Sequence, residues 1–315
     1  MYHKYPYDLL VILGPTASGK TKLATLIAQR LDGEIISADS RQVYREMDVG
    51  TGKDYSDYQV DGTKIPFHLI DIAQPGDKYN VYEYQKDFIN VYQKLIERNK
   101  LPVLCGGSGM YLDAILNGYR LINVPLNEEL RKDLESRPMN ELSTMLSSMT
   151  NLHNTTDTSS RKRLIRAIEI AVYYQKHPSE NGIFPKIHSF VAGVKYERDK
   201  RRSMITARLK RRLHDGMIDE AEQLLAKGLS PKDMEWYGLE YKFLSWYLTG
   251  KISYEEMFTR LNTAIHQFAK RQMTWFRKME REGISIHWID GEIPLEEKAS
   301  KIITLFKRED QAGTL

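Results

Sequence analysis

Cysteine is nearly absent from this sequence, since Cys105 is the only one among 315 residues. One cysteine excludes an intrachain disulfide and a zinc site built from several cysteines, and it favours a reducing compartment. No apolar run approaches the ~20 residues needed to span a bilayer, and residues 1–8 lack the apolar centre of a secretory signal. We therefore expect a cytoplasmic protein that does not enter a membrane.

Net charge is also small, at +4, and the apolar fraction of 41% is ordinary for a globular protein. The basic residues are unevenly distributed, with clusters at 161–166, 198–202 and 208–212. Such clusters suit a polyanionic partner, because each phosphate contact releases counterions. They suit solvated helix faces equally well, so the composition leaves both interpretations open.

Short apolar segments alternate with helical periodicity in the first third of the chain. Strands are predicted at 9–13, 34–38, 67–72 and 101–105, and helices at 22–31 and 79–98. This alternation predicts an α/β fold of the P-loop type, with a mainly parallel sheet flanked by helices.

Beyond residue 119 the pattern changes to polar helical sequence. We predict an inserted helical subdomain over 120–189, which divides a catalytic core formed by 1–119 and 190–315. In the second part of the core, strands are predicted at 190–194 and 284–289, and helices at 205–227 and 254–281.

Residues 14–21 fit the pattern G-x-x-x-x-G-K-[ST] and lie between a predicted strand and a predicted helix, as a P-loop requires. Such a loop turns its backbone N–H groups inward toward phosphate oxygens. Lys20 supplies a point charge, and the Thr21 hydroxyl can ligate Mg²⁺. The predicted diphosphate-binding residues are Gly14, Pro15, Thr16, Ala17, Ser18, Gly19, Lys20 and Thr21.

Three polar residues lie at or just after the ends of other predicted strands. Asp39 is placed to accept a proton or to cap a helix, and its position alone does not decide between them. Asp71 resembles a Walker-B carboxylate that holds Mg²⁺ through water, or it is a structural aspartate at a strand end. Ser108 offers a hydroxyl within the glycine-rich turn 106–109.

Basic and aromatic residues interleave at 269–277, in the sequence AKRQMTWFR. Unstacked bases and phosphates favour such a mixture. A helix with Phe268, Met273 and Trp275 in the core explains it too, and a helix with two faces can do both.

Taken together, these segments resemble the bacterial tRNA dimethylallyltransferases. The resemblance covers most of the chain and runs in family order. It is carried by GPTASGKT at 14–21, SADSRQVYREMDVGTGK at 37–53, HLIDI at 68–72, LPVLCGGSGMYLDAILNG at 101–118, RLIRAIEI at 163–170 and AKRQMTWFR at 269–277.

The resemblance implies transfer of the dimethylallyl group from dimethylallyl diphosphate to N6 of an adenine in tRNA, with Mg²⁺. The adenine implied is position 37, 3′ of the anticodon, in tRNAs that read codons beginning with U. By the same resemblance the insert grips the anticodon stem-loop. We expect the protein to be a monomer.

The site residues implied are catalytic Asp39, Lys20, Arg208 and Ser108; tRNA-binding Asp39, Ser40, Arg41, Gln42, Tyr44, Arg163, Arg166, Lys270 and Arg271; and metal-binding Thr21 and Asp71.

The sequence departs from the family in the insert and at Trp236–Lys242, which stands where an Ile-Gly-Tyr-Lys-Glu segment is usual. The P-loop and Asp39 are intact, so the chemistry is better supported than the details of tRNA recognition. A small-metabolite kinase and a non-catalytic RNA-binding module are the alternatives, and a guanine-binding Asn-Lys-x-Asp motif is absent from the sequence.

Overall fold

The computed structural model describes residues 5–119, 121–149, 160–177 and 184–308. The chain divides into two compact units. The first comprises Met1–Gly118 with Lys186–Leu315, and the second comprises Tyr119–Pro185. Among the described residues, no helix has the length and apolar character to cross a membrane.

A six-stranded parallel sheet forms the centre of the first unit. The three strands at 9–13, 33–38 and 101–106 are fully buried and mainly apolar, as expected for a parallel sheet covered on both faces. The strands are β1 (Leu9–Leu13), β2 (Gly33–Ala38), β5 (Phe67–His68), β6 (Leu101–Gly106), β7 (Ser189–Lys195) and β8 (Ile286–Asp290), and a separate hairpin pairs β3 (Gln59–Val60) with β4 (Thr63–Lys64). The order of the strands in the sheet is β5-β2-β6-β1-β7-β8.

The strand register brings three loops to one edge of the sheet. Gly106 at the end of β6 pairs with Ala38 at the end of β2 and with Leu13 at the end of β1. Leu13 in turn pairs with Gly193 of β7. The segments that begin at residues 14, 39 and 107 therefore leave the sheet side by side, where open α/β sheets bind ligands.

Helices cover both faces of this sheet. Apolar residues of α1 (Lys20–Leu31) and α12 (Leu295–Phe306) pack with the strands in one large core cluster. A second cluster joins the helices that follow β7. The helices of the first unit are α1 (Lys20–Leu31), α2 (Val81–Glu97), α3 (Gly109–Leu116), α7 (Arg198–His214), α8 (Met217–Ala226), α9 (Pro231–Met234), α10 (Leu239–Leu248), α11 (Tyr254–Arg281) and α12 (Leu295–Phe306).

The second unit is helical in the part that the structure describes. Its helices are α4 (Glu128–Ser136), α5 (Met139–Met149) and α6 (Arg161–Lys176). They share a small core of six leucine and isoleucine side chains. Residues 150–159, between α5 and α6, lie outside the described part of the chain.

The α/β fold with a mainly parallel sheet is confirmed, but two predicted elements are wrong. The strand predicted at 67–72 ends at His68, because Leu69 and Asp71 have positive φ angles of 62° and 56° that no strand adopts. The helix predicted at 205–227 is two helices, α7 and α8. They are separated at Gly216, whose φ of 95° breaks the helical path.

Candidate active site

The P-loop forms a cradle between β1 and α1. Ala17 and Gly19 have positive φ angles of 62° and 71°, so the loop alternates handedness and turns successive N–H groups inward. Gly14 has no room for a side chain, because an added Cβ would lie 2.8 Å from Ser18 Oγ and 3.0 Å from the Val194 carbonyl. Ser18 Oγ is buried without a hydrogen-bond partner among the described residues. The cradle therefore has the form of an anion site.

Lys20 begins α1 at the base of this cradle. Burial lowers the pKa of its ammonium group, and the neighbouring Arg208 and Arg212 lower it further. Cys105 and Asp39 lie close enough to counteract part of that effect. An anion in the cradle would stabilise the charged ammonium, because opposite charges nearby favour the ionised form.

Two arginines from α7 stand beside the loop. Arg208 Nη1 donates to Thr16 Oγ1 at 3.3 Å, and the guanidinium groups of Arg208 and Arg212 approach the same oxygen, Asp54 Oδ2, at 3.4 and 3.5 Å. Burial and the adjacent Arg208 lower the pKa of Arg212 to about 10. Because two cations share one carboxylate oxygen, the cluster keeps positive charge that a diphosphate would neutralise.

A small cavity adjoins these arginines and reaches Thr16 and Ala17 of the loop. Glu240 of α10 lines it, and burial raises the pKa of this carboxyl group, although Arg212 and Arg208 pull it downward. Glu240 belongs to the segment that departs from the family pattern. The sequence did not predict Arg212 or Glu240 as a residue of the site. The spacing of Arg212, one helical turn after Arg208, was the signal available.

Asp39 lies in a turn directly after β2 and does not cap a helix. Its Oδ1 accepts the Arg41 backbone N–H at 2.9 Å. Ser108, from the loop after β6, fixes the same turn: its Oγ accepts the Ser40 N–H at 2.9 Å and donates to Ser40 Oγ at 3.2 Å. The Ser108 N–H also donates to the Ala38 carbonyl at 3.1 Å. Ser108 therefore stabilises the turn that carries Asp39.

The rest of the predicted tRNA-binding motif is mostly engaged inside the protein. Ser40 and Arg41 are partly exposed. The Gln42 side chain donates to the Gly52 carbonyl at 3.1 Å. Tyr44 is 1% exposed, its hydroxyl accepts the Tyr79 N–H, and its ring packs in the core. The structure leaves Ser40 and Arg41 available for a ligand, but not Tyr44.

The two predicted metal ligands are not brought together. Thr21 lies in α1, whereas Asp71 follows β5, which two strands separate from β1. Asp71 Oδ1 pairs with buried Lys53 at 2.5 Å, and its Oδ2 accepts from Tyr55. These contacts give Asp71 a structural role and argue against a Walker-B function.

The described residues contain no cluster of three His, Cys, Asp or Glu side chains that could hold a metal. Mg²⁺ commonly binds through one or two protein oxygens together with substrate phosphates and water. The Thr21 hydroxyl fits that mode, because it lies in the first turn of α1, directly after the phosphate cradle.

The predicted tRNA contacts of the second unit differ in availability. Arg166 donates to the Val124 carbonyl at 2.7 Å and to Glu169 at 3.2 Å, so it serves the internal structure of this unit. Arg163 is exposed. In the first unit, Lys270 and Arg271 are exposed on α11, with Arg271 over the Phe268 ring.

Comparison with known proteins shows the family of this chain. Residues 42–279 match the profile of the IPP transferase family. A tRNA dimethylallyltransferase 2 from Bacteroides fragilis is 59% identical over 292 residues, which cover 93% of this chain and 95% of that protein. The tRNA dimethylallyltransferase 1 from Parabacteroides distasonis is 54% identical over 303 residues, covering 96% and 99%. This chain belongs to the IPP transferase family.

Solved structures agree with this assignment. The full-length tRNA isopentenylpyrophosphate transferase from Bacillus halodurans superposes with a TM-score of 0.69 at 31% identity, covering 95% of each chain. A eukaryotic dimethylallyltransferase acting on tRNA gives a TM-score of 0.76 at 21% identity, covering 96% of this chain and 81% of that chain. The second likeness concerns the fold alone. The predicted family is confirmed, and so is the prediction that this IPP transferase is a prenyl-transferring enzyme.

Proposed function

We propose that this chain transfers the dimethylallyl group of dimethylallyl diphosphate to N6 of an adenine in tRNA, giving N6-isopentenyladenosine. The observation that carries the proposal is the shared sheet edge. There a phosphate cradle with Lys20, Arg208 and Arg212 lies beside a turn that presents the Asp39 carboxylate. Membership of the IPP transferase family and the names of its relatives support it.

In this reaction the adenine N6 attacks the allylic C1 of the donor, and a C1–N6 bond forms as the C1–O bond to diphosphate breaks. Asp39 takes the proton that N6 loses. Its Oδ1 is oriented by the Arg41 N–H, and no hydrogen bond or ion pair to a described residue occupies Oδ2. Diphosphate leaves with the electron pair of the broken bond.

The cradle stabilises the leaving group instead of a migrating phosphoryl group. Lys20, Arg208 and the inward N–H groups of the loop meet the negative charge that develops on the diphosphate. Mg²⁺, when bound, supplies further charge neutralisation at the diphosphate oxygens. The residue that would hold it is Thr21. Ser108 keeps the Asp39 turn in register with the cradle.

The finer features of the proposal concern the acceptor. We propose adenine 37, 3′ of the anticodon, in tRNAs that read codons beginning with U. The helical insert would grip the anticodon stem-loop with Arg163, and Lys270 and Arg271 would meet phosphates. Chemistry on a stacked base requires that the base leave the stack. We also propose that the protein is a monomer and that it acts in the cytoplasm.

The test is to incubate purified protein with Mg²⁺, unmodified tRNA and labelled dimethylallyl diphosphate, then digest the RNA and identify the modified nucleoside. We expect N6-isopentenyladenosine at position 37. A parallel reaction with γ-labelled ATP and a small-molecule extract tests the kinase alternative. Label transfer from ATP without any prenylated nucleoside would overturn the proposal.

A further inference from the structure

Gln272 joins two of the loops at the sheet edge. It lies on α11, is 6% exposed, and uses both atoms of its side-chain amide. Its Oε1 accepts the Thr16 backbone N–H of the P-loop at 2.9 Å, and its Nε2 donates to the Gly107 carbonyl at 2.8 Å. One side chain therefore bridges the diphosphate cradle and the loop that carries Ser108.

The bridge sits in tightly packed surroundings. A Cβ added to Gly107 would lie 2.5 Å from Gln272 Nε2 and 2.9 Å from the Gly14 carbonyl. The same helix holds the loop and α3 at two further points. The Trp275 ring occupies the space where a Gly109 side chain would be, and Lys278 Nζ pairs with buried Asp113 at 2.9 Å. Helix α11 therefore leaves this loop little freedom to move relative to the cradle.

The bridge continues from Ser108 to the carboxylate. Ser108 bonds to the Ser40 N–H and the Ala38 carbonyl, on either side of Asp39. Gln272 thus links Thr16 to Gly107 by hydrogen bonds, and Ser108, the next residue in the chain, bonds to the Asp39 turn. This set of contacts links the element that would bind the prenyl donor to the element that would take the acceptor's proton.

We propose that Gln272 is a positioning residue that fixes the separation between the diphosphate cradle and the Asp39 turn. The inference rests on the proposed function. An uncharged amide suits the task because it accepts from one backbone and donates to another without adding charge beside the diphosphate. Misplacing reacting groups by about 1 Å can cost about 10²-fold in rate, so loss of the bridge should appear in kcat.

The experiment compares Gln272→Leu and Gln272→Glu with the wild-type protein in the prenyl-transfer assay. The glutamate keeps an acceptor for Thr16 but loses the donor for Gly107. Thr274→Ala is the matched control, since Thr274 lies exposed on the same helix and its hydroxyl donates to the Lys270 carbonyl. We expect kcat to fall by about 10- to 100-fold in both Gln272 variants. In Gln272→Leu the KM for dimethylallyl diphosphate should stay within about threefold, since its phosphate contacts remain. In Gln272→Glu the KM should rise further, because the variant adds a negative charge beside the diphosphate.

A double-mutant cycle with Ser108→Ala separates positioning from general damage. If both residues act through one connected set of bonds, the double variant should lose less rate than the product of the two single losses. Multiplicative losses, or kcat within about twofold of wild type in both Gln272 variants, would overturn the inference. Thermal unfolding shows whether each variant folds. If Gln272→Leu does not fold, the kcat of Gln272→Glu, which keeps the shape of the side chain, decides the test. Absence of transfer by the wild-type protein would instead refute the proposed function.

Discussion

Glu220 of α8 should contribute far more to stability than an ordinary surface glutamate. Its Oε2 accepts the backbone N–H groups of Asp48 and Val49, each at 2.7 Å. Its Oε1 accepts the Gly50 N–H at 2.9 Å and the Tyr241 hydroxyl at 2.7 Å. One carboxylate therefore satisfies three consecutive backbone donors of the loop that follows the Asp39 motif.

The cost of Glu220→Ala can be worked from these bonds. A hydrogen bond to a charged group contributes about 1.5–3 kcal/mol, and an unsatisfied buried donor costs about 1–3 kcal/mol. Water can reach part of this site, because Glu220 is only partly buried. The low end of the unsatisfied-donor cost, about 1 kcal/mol each, therefore applies, and the four donors together give about 3–5 kcal/mol. At roughly 2 °C per kcal/mol for a chain of this size, the Tm should fall by about 6–10 °C.

Differential scanning calorimetry measures this directly. Glu220→Gln keeps the shape but replaces one acceptor oxygen with a donor, so its loss should be intermediate. Glu222→Ala is the control, since Glu222 is exposed on the same helix, and it should change the free energy of unfolding by less than about 0.5 kcal/mol. A Tm for Glu220→Ala within about 2 °C of wild type would refute the reasoning, at the same conversion.

Asp39→Asn should slow transfer by about 10²- to 10⁴-fold, because asparagine can still accept the Arg41 N–H but cannot take a proton; an unchanged single-turnover rate would remove Asp39 from the mechanism. Lys20→Ala should weaken inorganic diphosphate binding by about tenfold or more in calorimetry, and equal affinity would contradict its placement. Burial alone would raise the pKa of Glu169, but hydrogen bonds from Arg131, the Asn127 N–H and Arg166 lower it. Glu169→Gln should therefore reduce insert stability at neutral pH, and the difference should shrink below pH 4.5, the ordinary glutamate value; a pH-independent difference in urea unfolding, with exposed Glu135→Gln as control, would contradict this.

The sign of the Glu169 effect follows from the direction of the shift. A pKa lowered by folding means that the folded state favours the ionised carboxylate, so its stabilisation is present above the unfolded-state pKa. As the pH falls through the folded-state pKa, the carboxyl group takes up a proton and the stabilisation is lost. The protonated glutamate then resembles the glutamine that replaces it.

Elements with strong local signals were predicted well from the sequence. The helix at 254–281 has the predicted bounds, because its apolar period is long and a capping box of Ser253 and Glu256 fixes its start. The segment HLIDI looked like a strand because it is apolar. Its backbone instead turns at Leu69 and Asp71, and the Asp71 carboxylate pairs with Lys53, 18 residues earlier. That pairing depends on tertiary contacts that periodicity does not contain.

The site was predictable in its parts but not in its connections. The P-loop pattern identified the cradle because its chemistry requires a local sequence. Gln272 lies 256 residues from Thr16, and no local pattern relates the two. The same holds for Glu220, which lies about 170 residues from the N–H groups it accepts. Each such contact is decided by how helices pack against the sheet edge, which only the folded chain shows.

Helix α11 shows how one motif can carry two requirements. Successive helical residues are rotated by about 100°, so neighbours in AKRQMTWFR point in different directions. Lys270 and Arg271 are exposed, which keeps them available for the phosphate contacts proposed above. Gln272 and Trp275 face the glycine-rich loop. The mixture of basic, amide and aromatic residues therefore reflects two faces under separate constraints. A substitution on the inner face should alter transfer rate, whereas one on the outer face should alter salt-dependent RNA affinity.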